Sequence, residues 1–528
     1  MINRRKFLKL AGSGAITLIS SAAIPSQAKS FALSTQTTHT QVEADLIINI
    51  RSQPGQVPIF SGPKTNVWKY SAEVLAGDPS SITDMGDESY LGPIIRAKKG
   101  QRIRIQFQND LPARSIIHWH GLHVPADMDG HPRLAVPAGG QYTYEFQVQD
   151  RAGTYWYHPH PHGRTGYQVY GGMAGLFLVS DKREEDLNLP SGNYEVPLVI
   201  QDRTFDSDNQ LVYLPGGMMS RMTGMMGDSI LVNGIPDFRL DVSTRVYRLR
   251  LLNGSNARAY KLAWSDGTPL TIIGTDGGFL SRPLKKSSVM LGPGERLDVW
   301  ADFSKNVVGD ILHLVSQSFT DGVSGMMGGR HMGRGMMGRK QNLLNGTKLN
   351  IMNVRVIKKE NESRKLPQQL VQEGSITPND TLNPDTPRKF ELSMFHMHGL
   401  INGKSFEMTA VADDEIVEAG TSEIWEFKNT NQRMGMMGMQ VPHPMHLHGA
   451  HFRILERSGV SLDSYMDEGW KDTVLLMPGE RIRLLVRFGQ HPGLFLYHCH
   501  NLEHGDAGMM RNYLIENKSS TTNRFQVT

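Results

Sequence analysis

Four His-x-His elements constrain this chain more than any other feature: His118/His120, His158/His160, His446/His448 and His498/His500. In an extended strand, residues i and i+2 point to the same face, so each pair offers two imidazoles to one side. One such pair is commonplace. Two pairs near the start of the chain and two near its end describe eight imidazoles converging on one place, enough to hold several metal ions. Imidazole suits copper, zinc, iron and nickel alike.

The pairs sit inside an internal repeat. Residues 138–160 read AGGQYTYEFQVQDRAGTYWYHPH and residues 478–500 read PGERIRLLVRFGQHPGLFLYHCH. Each is a turn, an alternating strand, a second turn with glycine, and an aromatic strand ending in His-x-His. A third copy of the turn and strand, PGERLDVWADF, starts at Pro293, with no His-x-His after it. The simplest reading is three related β domains, of which the first and third carry the chemistry. Period-two alternation at Ile103, Ile105 and Phe107, at Tyr142, Tyr144, Phe146 and Val148, and in the run bracketed by Ile424 and Phe427 supports strands. The 54 glycines and 27 prolines fit many short strands joined by turns. At 528 residues the chain exceeds one ordinary core. The expected divisions are domains over 40–183, 184–356 and 389–516, a polar linker over 357–388 and a loose tail over 517–528.

Residues 1–28 read as a targeting segment: Arg4 and Arg5, a modest apolar run from Leu10 to Ile24, and the small-x-small pattern Ser26-Gln27-Ala28. The run is too short and too rich in Gly, Ser and Ala for a stable membrane span. Paired arginines fit the twin-arginine signal, which exports folded proteins, so the expected location is the periplasm. Arg4, Arg5, Lys6 and Lys9 account for the whole formal charge of +4, which leaves the remaining chain near neutral (4 − 4 = 0). Nothing in that balance suggests a nucleic-acid or anionic-membrane partner.

The single cysteine, Cys499, excludes an internal disulfide and lies between His498 and His500. If the two histidines face one way, the cysteine faces the other and belongs to a second site. His443, His504 and Met509 complete a His2Cys set with a weak axial methionine, the blue-copper electron-transfer arrangement, in which the metal holds the cysteine as thiolate. The segment 498–500 then joins the two sites covalently.

Taken together, HWHG, YHPHPHG, HPMHLHG and HCHNLEHGDAGMM resemble the four copper signatures of the multicopper oxidases, over nearly the whole chain after residue 28. The resemblance implies an all-β fold of three cupredoxin-like Greek-key barrel or sandwich domains, and four copper ions. It implies oxidation of a donor in four one-electron steps and reduction of O2 to water, and the chain is expected to act as a monomer. Carried over by motif position, type 1 copper takes His443, Cys499, His504 and Met509, and type 2 takes His118 and His446. The type 3 pair takes His120, His158 and His500 on one ion, and His160, His448 and His498 on the other. Asp129 matches a family carboxylate that helps deliver protons. A second family acid is replaced by Gly505, with Asp506 adjacent as its substitute. His123, His131, His162, His396, His398 and His451 are left out of these ligand sets and are expected at the surface or behind the ligands.

Half of the 28 methionines lie in three Gly-rich stretches: Met218, Met219, Met222, Met225 and Met226; Met326, Met327, Met332, Met336 and Met337; Met434, Met436, Met437 and Met439. Thioethers are soft ligands that prefer Cu(I). The pattern resembles the bacterial cuprous (copper-efflux) oxidases, which implies Cu(I) as donor; Met394 is a further match to a family substrate ligand. The resemblance is incomplete, because Met439 and Val441 stand where that group has an acid and a Met. A laccase-like oxidase of phenols or pigments would use the same coppers. A cupredoxin protein that only binds copper, or has only a structural role, is the alternative from another class.

Overall fold

The computed structural model describes residues 43–320, 343–372, 374, 376–395, 397–430, 441–459 and 464–517. The targeting segment 1–28, the tail from 518, His396 and two of the methionine stretches (Met326 to Met337, Met434 to Met439) lie outside the described residues.

Alternation in the sequence becomes a sheet with one dry face. In strand Arg102–Asn109, Ile103, Ile105 and Phe107 are buried while Arg102, Arg104 and Gln106 are not. This strand pairs in parallel with Leu46–Val57 and antiparallel with Gln141–Gln147, and Thr65–Ala76 closes the four-stranded sheet. A five-stranded sheet packs on its dry face, built from Ile82–Thr83, Ile94–Lys98, Gly175–Ser180, Gly153–Pro159 and Ile117–His120. Ile48, Ile105, Trp119, Tyr144 and Phe177 lie in the shared core. Neighbours distant in sequence within both sheets give the Greek-key pattern of a β-sandwich.

The plan recurs twice. Strands from Glu195–Arg203 to Leu349–Lys358 form sheets of seven and five strands around Leu251, Ile272, Val299 and Val354. Strands from Arg388–Phe395 to Met510–Glu516 form two five-stranded sheets around Trp425, Leu447, Val486 and Tyr513. The chain is therefore all-β, with three cupredoxin-like domains. Among the described residues the longest helices have six residues, and none is long and apolar enough to cross a membrane.

Two details depart from the sequence reading. Ser422–Asn429 does not alternate: five successive residues, Glu423 to Phe427, are buried, because both faces of this strand are covered. The segment read as linker is also partly packed. Leu370 is buried in the second core, and its N–H donates to the carbonyl of Ser281 at 2.9 Å.

Candidate metal centre

Strand register brings the histidines together. In the first domain Ile117–His120 pairs with Gly153–Pro159 so that His118 stands opposite His158. In the third, His446 stands opposite His498 and Met445 opposite Cys499. The two domains then interleave. His118 stacks on His448 and His120 on His446, with ring centroids 3.6 Å apart in both cases. The donor atoms of His118, His446 and His448 lie within 4.8 Å of one another, as do those of His160, His448 and His498 and those of His118, His120 and His158. The His500 ring centroid is 5.0 Å from that of His120 and 5.4 Å from that of His158.

Hydrogen bonds behind the rings decide which nitrogen faces inward. Nδ1–H of His118 donates to the Asp129 carbonyl at 2.7 Å, that of His446 to the Asp472 carbonyl at 2.8 Å, and that of His448 to Asp129 Oδ2 at 2.7 Å. His158 and His498 donate from Nδ1 to the carbonyls of Pro159 and Cys499, both at 3.0 Å. Each of these rings keeps its proton outside and turns the Nε2 lone pair inward. His120 is reversed. Its Nε2 meets Asp472 Oδ1 at 3.0 Å and Thr473 Oγ1 at 3.1 Å, so Nδ1 faces the others.

These atoms fit metal ions. Nε2 of His498 lies 3.1 Å from that of His448 and 3.3 Å from that of His160, and the His118–His446 separation is also 3.3 Å. Nitrogens held by one ion at about 2.0 Å stand about 3.3 Å apart at a tetrahedral angle. His120 Nδ1, His158 Nε2, His160 Nδ1 and both ring nitrogens of His500 are buried with no hydrogen-bond partner, which a buried polar atom seldom tolerates. Burial, reinforced by neighbouring imidazoles, lowers the pKa of His158, His160, His448, His498 and His500 well below the usual value, so these rings stay neutral as ligands must.

The second site lies on the other side of the same strand. Cys499 Sγ is 3.5 Å from His443 Nδ1 and 3.7 Å from His504 Nδ1, and the two nitrogens are 3.2 Å apart. All three residues are buried. His504 donates from Nε2 to the carbonyl of Met222 at 3.0 Å, which leaves its Nδ1 lone pair for the site. Burial pushes the Cys499 thiol up, so a thiolate here needs a bonded cation. Met509 is buried next to this set, its N–H donating to the His504 carbonyl at 2.9 Å and its carbonyl accepting from Cys499 N at 3.0 Å. Met394 packs at the edge of the same core.

Asp129 lies between the two histidine-bearing domains. Oδ2 accepts from His448, while Oδ1 is buried without a partner, 3.5 Å from His118 Nδ1. Burial raises its pKa despite the nearby histidines. Gly130 makes this position reachable. With φ at 83°, a Cβ there would stand 2.1 Å from the Ile117 carbonyl oxygen, so only glycine lets the turn lie against strand Ile117–His120. Gly130→Ala is expected to destabilise the protein by roughly 2–5 kcal/mol. Denaturant unfolding measures it, and an unchanged midpoint would contradict the close approach.

Asp506 is placed differently. Its oxygens accept from the N–H groups of Thr165 at 3.0 Å and Gly166 at 2.8 Å, and burial pushes its pKa up to about 7. A Cβ at Gly505 would stand 4.0 Å from His498 Nδ1. Of the histidines left out of the ligand sets, His131 lies between Asn512 Oδ1 and Arg133 N, His123 lies on Asp150 with its ring against that of His451, and His162 and His398 are exposed. The sequence reading missed Asp472, Thr473 and Arg296. Asp472 touches His120 and His446 and receives both terminal nitrogens of Arg296. Its one sequence signal is a charged pair, Lys471-Asp472, set between Trp470 and an apolar run.

Comparison with known proteins agrees with this geometry. Family models described as multicopper oxidase match residues 70–184, 195–324 and 381–519. The chain belongs to the multicopper oxidase family. It is 32% identical to the multicopper oxidase of Staphylococcus haemolyticus, over 89% of this chain and 88% of that one. It is 30% identical to a laccase of Bacillus subtilis, over 80% and 87% respectively. The crystal structure of the McoA multicopper oxidase of the hyperthermophile Aquifex aeolicus superposes with a TM-score of 0.75 at 34% identity, covering 90% of this chain and 97% of that one.

Proposed function

We propose that the chain is an exported oxidase that binds four copper ions, takes electrons singly from a donor at the Cys499 site, and passes them to O2 at the histidine cluster. Type 1 copper is assigned to His443, Cys499, His504 and Met509, and type 2 to His118 and His446. The type 3 ions are assigned to His120, His158 and His500, and to His160, His448 and His498. The bound coppers supply one-electron storage and O2 reduction. The protein holds neutral imidazoles at fixed angles, keeps both sites dry and stations Asp129 beside the cluster as proton donor. The observation that carries this reading is the alternation at 498–500: Cys499 faces His443 and His504, while His498 faces His160 and His448. Paired arginines ahead of residue 28 support periplasmic delivery through the twin-arginine route.

The donor we favour is Cu(I). Helix Met218–Thr223 lies over His504 through the Met222 carbonyl, and Met218 and Met219 are exposed. A methionine-rich helix thus lies beside the electron-accepting site, and thioethers are soft ligands that prefer Cu(I). A phenol-oxidising reading is supported by the relatives named laccase. O2 consumption by the copper-loaded protein, with Cu(I) and a simple phenol compared as donors, separates the two. Deleting 326–337 and 434–439 is expected to abolish most Cu(I) turnover and spare phenol turnover. Equal losses for both donors would count against Cu(I) capture by methionine. No O2 uptake with all coppers bound would leave only copper binding.

A further inference from the structure

The third copy of the repeated turn, Pro293 to Arg296, has no histidines of its own, yet it meets the histidine cluster. Gly294 is in the left-handed region, with φ at 84°. A Cβ there would lie 3.1 Å from His500 Cγ and 3.2 Å from His120 Cε1. The second domain therefore reaches two proposed ligands with bare backbone.

Two residues on, Arg296 is fully buried and fully engaged. Its Nε donates to the Thr154 carbonyl at 2.9 Å and its Nη1 to the Gly294 carbonyl at 2.9 Å. Nη1 also donates to Asp472 Oδ1 at 2.7 Å, and Nη2 to Asp472 Oδ2 and to the Asp276 carbonyl, the latter at 3.1 Å. A guanidinium forks onto a carboxylate in a fixed plane, so this pair sets the angle of Asp472. Asp472 Oδ1 is the acceptor that turns His120 Nδ1 inward, and it lies 3.4 Å from His446 Nδ1. Lys471 ties the same region to the second domain through Asp276 and Glu295, both at 3.2 Å.

We propose that Arg296, held by the Gly294 turn of the second domain, is a positioning residue for the copper cluster, acting through Asp472 on His120 and His446. The inference rests on the four-copper assignment above. The second domain, which carries none of the proposed ligands, thereby controls which nitrogen of His120 is available.

The test uses the full chain loaded with copper, comparing wild type, Arg296→Lys and Gly294→Ala. Lysine keeps the charge and loses the fork. Copper per protein, the blue band of the Cys499 site and the type 2 EPR signal are read alongside a thermal melt. Loss of an outer hydrogen-bond partner weakens a metal site roughly 10–100-fold. Folded Arg296→Lys should therefore keep its blue band while losing cluster copper to a chelator roughly 10–100-fold more readily, with an altered type 2 signal. Should Arg296→Lys not fold, Gly294→Ala is expected to give the same selective change, since its methyl presses on His120 and His500. A folded variant with wild-type copper retention and type 2 signal, or equal loss at both sites, overturns the proposal. A wild-type protein that does not bind four coppers defeats the underlying assignment instead.

Discussion

Cys499→Ser is expected to remove the intense blue band and reduce donor oxidation by at least about a thousandfold, while the protein stays folded. A hydroxyl is neither the soft ligand nor the thiolate that the His2Cys arrangement requires. Around Sγ the structure offers two imidazole nitrogens, at 3.5 and 3.7 Å. The stability cost is that of burying a hydroxyl in a small-residue position, about 1–3 kcal/mol. Six of the eight histidines across the strand keep their positions, because their orientation comes from backbone carbonyls, Asp129 and Asp472 rather than from the sulfur. Absorption and copper per protein check this together: the band disappears and about one copper in four is lost. A variant that retains the blue band would remove Cys499 from the assignment.

The residues that were legible in the sequence are those whose spacing is itself the signal. A strand repeats every two residues, so His-x-His and the cysteine between two histidines announce which side each group takes. Alternation likewise marked Ile103, Ile105 and Phe107 as one dry face. Groups that act across domains were not legible. Asp472 lies 24 residues beyond His448 and 26 before His498, and its partner Arg296 belongs to another domain. Nothing local distinguishes that arginine from the many that pair on a surface, and only the meeting of three domains buries it. The same holds for Asp506. Adjacent to Gly505, it reads as a replacement acid, yet its oxygens take the free N–H groups at the start of helix Thr165–Tyr170, a demand created by a loop of the first domain. Alternation also fails where both faces are covered, as in Ser422–Asn429.

Asp129→Asn is expected to bind copper normally and to slow turnover roughly 10²–10⁴-fold, the usual contribution of a positioned proton donor. The amide retains an oxygen able to accept from His448 Nδ1, so the ring keeps its orientation and the ligand set survives. What is lost is the acidic proton. In the native protein Asp129 Oδ1 is buried without a hydrogen-bond partner, 3.5 Å from His118 Nδ1, and burial holds the carboxyl above its ordinary pKa. Both features favour a carboxyl that carries a proton, beside the cluster proposed to reduce O2, a reaction that consumes protons. The sign follows from the raised pKa: the donor form is full below it and is lost as pH rises through it. Native turnover should fall across that interval, whereas the variant should be slow and flat there. Stopped-flow absorbance divides the cycle at the blue band. Anaerobic bleaching by the donor should be unchanged in the variant, and return of the band on mixing with O2 should carry the whole defect. Slowing of both halves alike would make Asp129 a structural brace for His448, and a native pH dependence retained by the variant would move the proton donor elsewhere.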